Sequence, residues 1–216
     1  MCLSAPVSFV ASGVLTVTGV AILKRRPLRR ERLFAIIPFL FAFQQLLEGF
    51  QWLVMKSNEP NLLLGYAFLF FAFLLWPTYI PISIYMMEHK KKHAHILRLF
   101  IVAGLLATIY LLLNLLKYPL DISVAGNSIR YFINIPLDGN LVFIYVAITC
   151  GSCFISSDRH IRWFGWAALI SFLVSFFFFR ITLTSTWCFF AAILSLLIYF
   201  HFTKKAHGRS KKTKKA

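Results

Sequence analysis

Lys24-Arg25-Arg26-Pro27-Leu28-Arg29-Arg30-Glu31-Arg32 separates two long apolar stretches and places six basic residues within nine positions. The next gap, around Lys56 and Glu59, holds one, and the gap from Glu88 to Arg98 holds four: Lys90, Lys91, Lys92 and Arg98. The alternation continues with Lys117 and Arg130, then Arg159 and Arg162, then Arg180 alone, then a tail with seven basic residues. Every second gap is therefore rich, and those gaps carry 19 of the 23 lysines and arginines. Basic residues accumulate on the cytosolic side of membrane helices. The pattern predicts an all-α polytopic bundle of seven transmembrane helices with the N-terminus outside and the C-terminus in the cytosol.

Composition agrees. The 216 residues are 59% hydrophobic and 14% charged, more apolar than soluble domains. Spans of about 20 apolar residues cross the hydrocarbon core. They are read at 3–23, 33–55, 62–87, 96–116, 140–155, 163–180 and 184–202, the fifth short and the third long. This leaves a membrane domain at 1–202 and a basic tail at 203–216 whose Lys, Gly, Ser and Thr composition predicts disorder. No basic segment precedes the first apolar run, so it does not resemble a cleaved signal peptide. The pI near 10.1 follows from topology-setting clusters that meet membrane lipids. No soluble nucleic-acid module is present, so nucleic acid is not expected as a partner. The expected location is an inner membrane, crossed many times.

The polar residues within the spans mark the candidate site. Gln44, Glu48 and Gln51 recur at i, i+4 and i+7, on one helical face, with Gln45 and Trp52 beside it. A charged side chain within a span costs about 2.5–3.5 kcal/mol on insertion scales, and usually faces the bundle interior. The wedge fits either a pocket or interhelix hydrogen bonding. Arg180 ends the sixth span at the same, outer level. It fits a snorkelling interfacial arginine, a counter-ion for Glu48, or a clamp on an anionic ligand. Thr184, Ser185, Trp187 and Cys188 open the seventh span there. Cys2 lies at the start of the first span and offers a thiol as nucleophile or metal ligand, so Cys2, Glu48 and Cys188 are the candidate metal ligands; a Cys2–Cys188 disulfide is an alternative. The sequence does not identify a cofactor.

Other features carry competing readings. Cys150-Gly151-Ser152-Cys153 has redox spacing without a thioredoxin-like context, and two cysteines three apart on a helix are more often small packing residues. Pro77 and Pro81 predict a kink in the third span, which lines a cavity or is a packing feature. Residues 121–135 alternate in polarity around Gly126-Asn127, predicting a short hairpin that is either a lid or a connection. All six histidines fall at the cytosolic ends, which excludes a histidine-built zinc site on the outer side. His93-Ala94-His95 beside three lysines is expected in a solvated loop. No lysine lies between Trp163 and Phe202 for a Schiff base, and no aspartate lies mid-span for an aspartyl protease.

The opening Met1-Cys2-Leu3-Ser4-Ala5, Pro38, Phe43-Gln44-Gln45-Leu46-Leu47-Glu48-Gly49 with Trp52, Trp76-Pro77 with Pro81, Ser156-Ser157, Arg180 and Trp187-Cys188-Phe189-Phe190-Ala191-Ala192 span nearly the whole chain. Together they resemble a family of bacterial multi-pass membrane proteins without an established activity. The resemblance implies a membrane protein of this length and groups Cys2, Gln45, Glu48, Arg180 and Trp187 as one constellation. Three functions follow as expectations: a small-molecule pocket, catalytic or binding, around Glu48; a small-solute transporter of three-plus-one-plus-three plan; or a scaffold in which the polar residues only join helices. No Pro-Gln dipeptide and no clear internal repeat support the transporter.

Overall fold

The computed structural model describes residues 4–55, 60–135 and 138–203. Helix α1 is Ala5–Lys24. A short 3-10 turn and one α-turn lead into α2, Ile37–Met55. Helix α3 runs Leu62–Met87, α4 Lys91–Lys117, α5 Asp138–Ile155 and α6 Arg159–Phe178. Helix α7, Leu183–Leu194, resumes after a turn at Ser195 as helix over 196–203. A two-stranded antiparallel hairpin, β1 Asp121–Ala125 and β2 Ser128–Phe132, follows α4. Among the described residues, six helical stretches are long and apolar enough to cross a membrane, and Asn140–Ile155 is a shorter apolar one. Their outward faces carry rows such as Val10, Val14 and Val17 on α1 and Leu99, Val102, Leu106 and Leu113 on α4. Apolar rows of this extent suit lipid rather than water.

Helices α1 and α2 lock by reciprocal sockets. A Cβ on Gly19 would lie 2.4 Å from the Phe39 ring, and one on Gly49 would lie 2.7 Å from the Phe9 ring. Each glycine thus receives a ring from the other helix, the small-residue logic of membrane helix packing.

The proline pair in α3 coincides with a change of helix type. Phe70–Leu75 is a π-helical segment immediately before Trp76–Met87. Pro77 has no N–H to give to the preceding turn, and wider turns of this kind mark such places. Two nearby carbonyls gain side-chain donors. Tyr145 Oη donates to Ala72 O at 2.6 Å, and Thr108 Oγ1 donates to Leu74 O at 3.1 Å. Pro81 in turn leaves the Pro77 carbonyl without its helical donor. That carbonyl lies against Gly104 of α4, where a Cβ would come within 2.1 Å of it.

The hairpin forms where the alternation placed it. Ala125 pairs with Ser128, leaving Gly126-Asn127 as the loop. Gly126 has φ +60 while Asn127 does not take a positive φ, which matches a type II′ turn. Ile122, Ile129 and Tyr131 face inward onto α3. Tyr131 stacks on Phe68 at 4.5 Å.

The basic connectors meet at one end of the bundle. Arg25 donates to Tyr199 Oη at 3.0 Å, and Arg30 lies 3.1 Å from His89 Nδ1. Glu88 joins two connectors. It accepts from the His89 and Lys90 backbone N–H groups at 2.8 and 2.9 Å, and from Ser157 N–H and Oγ–H at 2.7 and 2.8 Å. His93, Ala94 and His95 lie in the first turns of α4 rather than in the expected loop. The helix extends past the apolar run because Glu88 sets a negative charge beside its N-terminus, where anions are favourable. Burial pushes the Glu88 carboxyl up, but the Lys90, Ser157 and His89 hydrogen bonds outweigh it and hold the pKa at about 2. A depressed carboxylate pKa contributes stability that is present above the unfolded value of 4.5 and lost as pH falls through the folded value. Glu88→Gln is therefore expected to melt lower than wild type at pH 7. The difference should shrink as pH falls from 4.5 towards 2 in thermal melts in detergent.

Candidate functional site

At the opposite end a cleft of about 590 Å³ opens between the hairpin, α3, α5 and α7. The π-helical stretch of α3 supplies Ala72 and Phe73, β2 supplies Arg130 and Phe132, α5 supplies Tyr145, and the start of α7 supplies Thr184, Trp187 and Cys188. Arg180, in the 3-10 turn Arg180–Thr182 before α7, completes the rim. The volume lies within the usual ligand-pocket range of about 300–1,000 Å³.

Two arginines line this cleft, and neither forms an ion pair among the described residues. The Arg130 guanidinium lies over Phe132 at 4.4 Å, and that of Arg180 over Phe176 at 5.4 Å. Both cations are thus held on ring faces, an attraction that leaves their N–H groups available. Trp187 forms part of the wall. It donates to Ala168 O at 3.3 Å and packs edge-on against Tyr145 and Phe172 at 5.6 and 5.1 Å. Beyond Tyr145 and Trp187 lies a second, apolar cavity of about 50 Å³, lined in part by Cys150, Cys153 and Cys188.

The Gln44–Glu48–Gln51 face is fully buried, and its members reach three different places. Gln44 Oε1 accepts from Trp76 Nε1 at 3.1 Å, and its amide faces Cys188. Glu48 Oε1 accepts from Ser185 Oγ at 2.5 Å, joining α2 to α7. The Gln51 amide, oriented to match donor with acceptor, bonds the Asn61 backbone O and N at 3.0 and 3.3 Å and fixes the entry of α3. Gln45 is buried with both amide atoms lacking a hydrogen-bond partner among the described residues.

A model of the DUF6629 family, a family of unknown function, matches residues 1–214. The chain belongs to this family. No curated protein and no solved structure matches it. For this DUF6629 chain, the structure divides the residues singled out in the sequence into two groups. Arg180 and Trp187 line the cleft, with Cys188. Gln44 and Glu48 sit one layer behind, against Cys188 and Ser185, and neither they nor Gln45 line it. Arg180 makes no ion pair with Glu48 among the described residues. Cys2 lies outside the described residues, so its roles as metal ligand or thiol rest on the sequence; Cys188, Cys150 and Cys153 are free thiols. Arg130 and Tyr145 were not singled out in the sequence. Arg130 did carry a signal, as one of only four basic residues in the poor gaps. Tyr145 carried none, because its value lies in the carbonyl it reaches across the bundle.

Proposed function

We propose that this protein is a seven-span inner-membrane protein of bacterial type, N-terminus outside and C-terminus in the cytosol, that binds an anionic amphiphile in the outer cleft. The observation that carries the binding assignment is the pair of arginines, free of acidic partners among the described residues, on the rim of a cleft whose other walls are mostly apolar and aromatic. A guanidinium suits a carboxylate or phosphate through its planar fork, and the walls suit an alkyl or aromatic body. Glu48 acts as a positioning residue that anchors the start of α7 behind the wall. The hairpin closes the cleft on one side. Ligand binding is favoured over transport because, among the described residues, the cleft of about 590 Å³ gives way beyond Trp187 to an apolar cavity of about 50 Å³.

Dodecanoate and dodecanol serve as probes, followed by tryptophan fluorescence of the purified protein in detergent. Dodecanoate is expected to bind saturably and dodecanol at least tenfold more weakly, since each charge-assisted hydrogen bond contributes about 1.5–3 kcal/mol. The double variant Arg130→Gln/Arg180→Gln should bring the two affinities together. Equal binding of both probes to wild type would rule out the anion assignment.

A further inference from the structure

Asp158, His160 and His201 bring three ligand atoms within 4.8 Å of one another at the basic end, away from the cleft. Asp158 and His160 stand at the start of α6, and His201 comes from the final helical stretch, some forty residues later. Asp158 Oδ1 lies 3.3 Å from His160 Nδ1, and its Oδ2 lies 3.5 Å from His201 Nδ1. The two histidines thus approach different oxygens of one carboxylate, each at a separation close to the about 3.3–3.4 Å between ligand atoms around a tetrahedral zinc with bonds of about 2.0–2.1 Å.

His201 supplies an independent reason to look for a ligand there. Its residue is 3% exposed, yet neither ring nitrogen has a hydrogen-bond partner among the described residues. At 3.5 Å the Asp158 oxygen is beyond a good hydrogen bond. A buried imidazole left in this way costs stability unless something else engages it. Phe34 and Phe202 pack edge-on against the ring at 6.1 and 4.9 Å and hold it in place. The carboxylate is also not claimed by a neighbouring arginine. Arg162 turns instead to the carbonyls of Ser156 and Ser157 at 2.8 and 3.1 Å.

We propose that Asp158, His160 and His201 form a binding site for a divalent transition-metal cation of the zinc class, which ties the end of the last helix to the start of α6. Two neutral imidazoles and one carboxylate are a ligand set that zinc and its neighbours accept. Asp158 and His160 are partly exposed, so the cation can enter from the aqueous side and keep water in its remaining position. This site is independent of the cleft and of any ligand there.

The test uses the full-length protein, stripped with chelator and titrated in detergent with Co²⁺ by absorbance, then with Zn²⁺ in competition. One cation per chain is expected, with visible bands of tetrahedral strength and a raised melting temperature on Zn²⁺ addition, since binding to the folded state alone stabilises it. Asp158→Asn is the informative variant. Asp158 caps α6 by accepting from His160 N–H at 2.8 Å, and asparagine caps equally well, so helicity should survive. Asp158→Asn and His201→Ala should each weaken binding by about 100-fold or more, whereas His95→Ala should leave it unchanged. Absence of saturable binding by wild type would overturn the proposal. So would binding that persists in both Asp158→Asn and His201→Ala.

Discussion

Glu48→Ala is expected to lower the unfolding free energy by about 3–5 kcal/mol, while Glu48→Gln should cost about 1 kcal/mol. Glu48 is 0% exposed and receives the Ser185 hydroxyl from α7. Alanine would leave a cavity between α2 and α7 and remove the carboxylate that accepts the Ser185 hydroxyl, and the two losses act together. Glutamine preserves the volume and one acceptor oxygen. SDS titration of the protein in mixed micelles measures both. The pair also separates structural support from direct ligand contact. A positioning role predicts that Glu48→Gln still binds dodecanoate, because Glu48 lies behind the cleft wall. Loss of dodecanoate binding in a Glu48→Gln variant of normal stability would instead place the carboxylate in contact with the ligand.

Trp187→Ala should cost about 3 kcal/mol, towards the lower end for buried tryptophan because the residue is only partly buried. The loss combines the edge-on packing on Tyr145 and Phe172 with the hydrogen bond to Ala168 O. Trp187→Phe should retain most of the packing and cost about 1 kcal/mol. Trp187 lines both cavities, so alanine should also join them. In wild type Cys150 and Cys153 are buried at 3% and 1% exposure and should react slowly with N-ethylmaleimide. In Trp187→Ala, mass spectrometry should detect faster labelling at Cys150. Unchanged labelling would mean that the side chains around Trp187 collapse into the space it leaves.

The helices were legible because apolar runs of membrane length have few alternatives, and the hairpin because period-two patterning met a Gly-Asn turn. The start of α4 was not. Lys91, Lys92 and His93 look like loop residues, and their helical state depends on Glu88, which is held partly by Ser157 from a distant connector. The candidate site shows the same division. Spacing placed Gln44, Glu48 and Gln51 on one helical face. It did not say that the first would meet Trp76, the second Ser185 and the third Asn61. Periodicity describes a helix, whereas partners belong to the packing of several. Arg130 lines the cleft only because the hairpin folds back over the bundle. His201 and Asp158 come together only because the last helix ends beside the start of α6.

The sockets between α1 and α2 bear on how the chain is built. Phe9, Gly19, Phe39 and Gly49 all lie within the first 55 residues, so both knobs and both holes of this seam are synthesised before any later helix. Chains emerge from the ribosome N-terminus first, and their early units associate as they appear. The first two spans therefore carry what they need to pair as soon as they enter the bilayer, and can serve as the template onto which the hydrogen bond from Ser185 of α7 to Glu48, made last, finally closes the bundle.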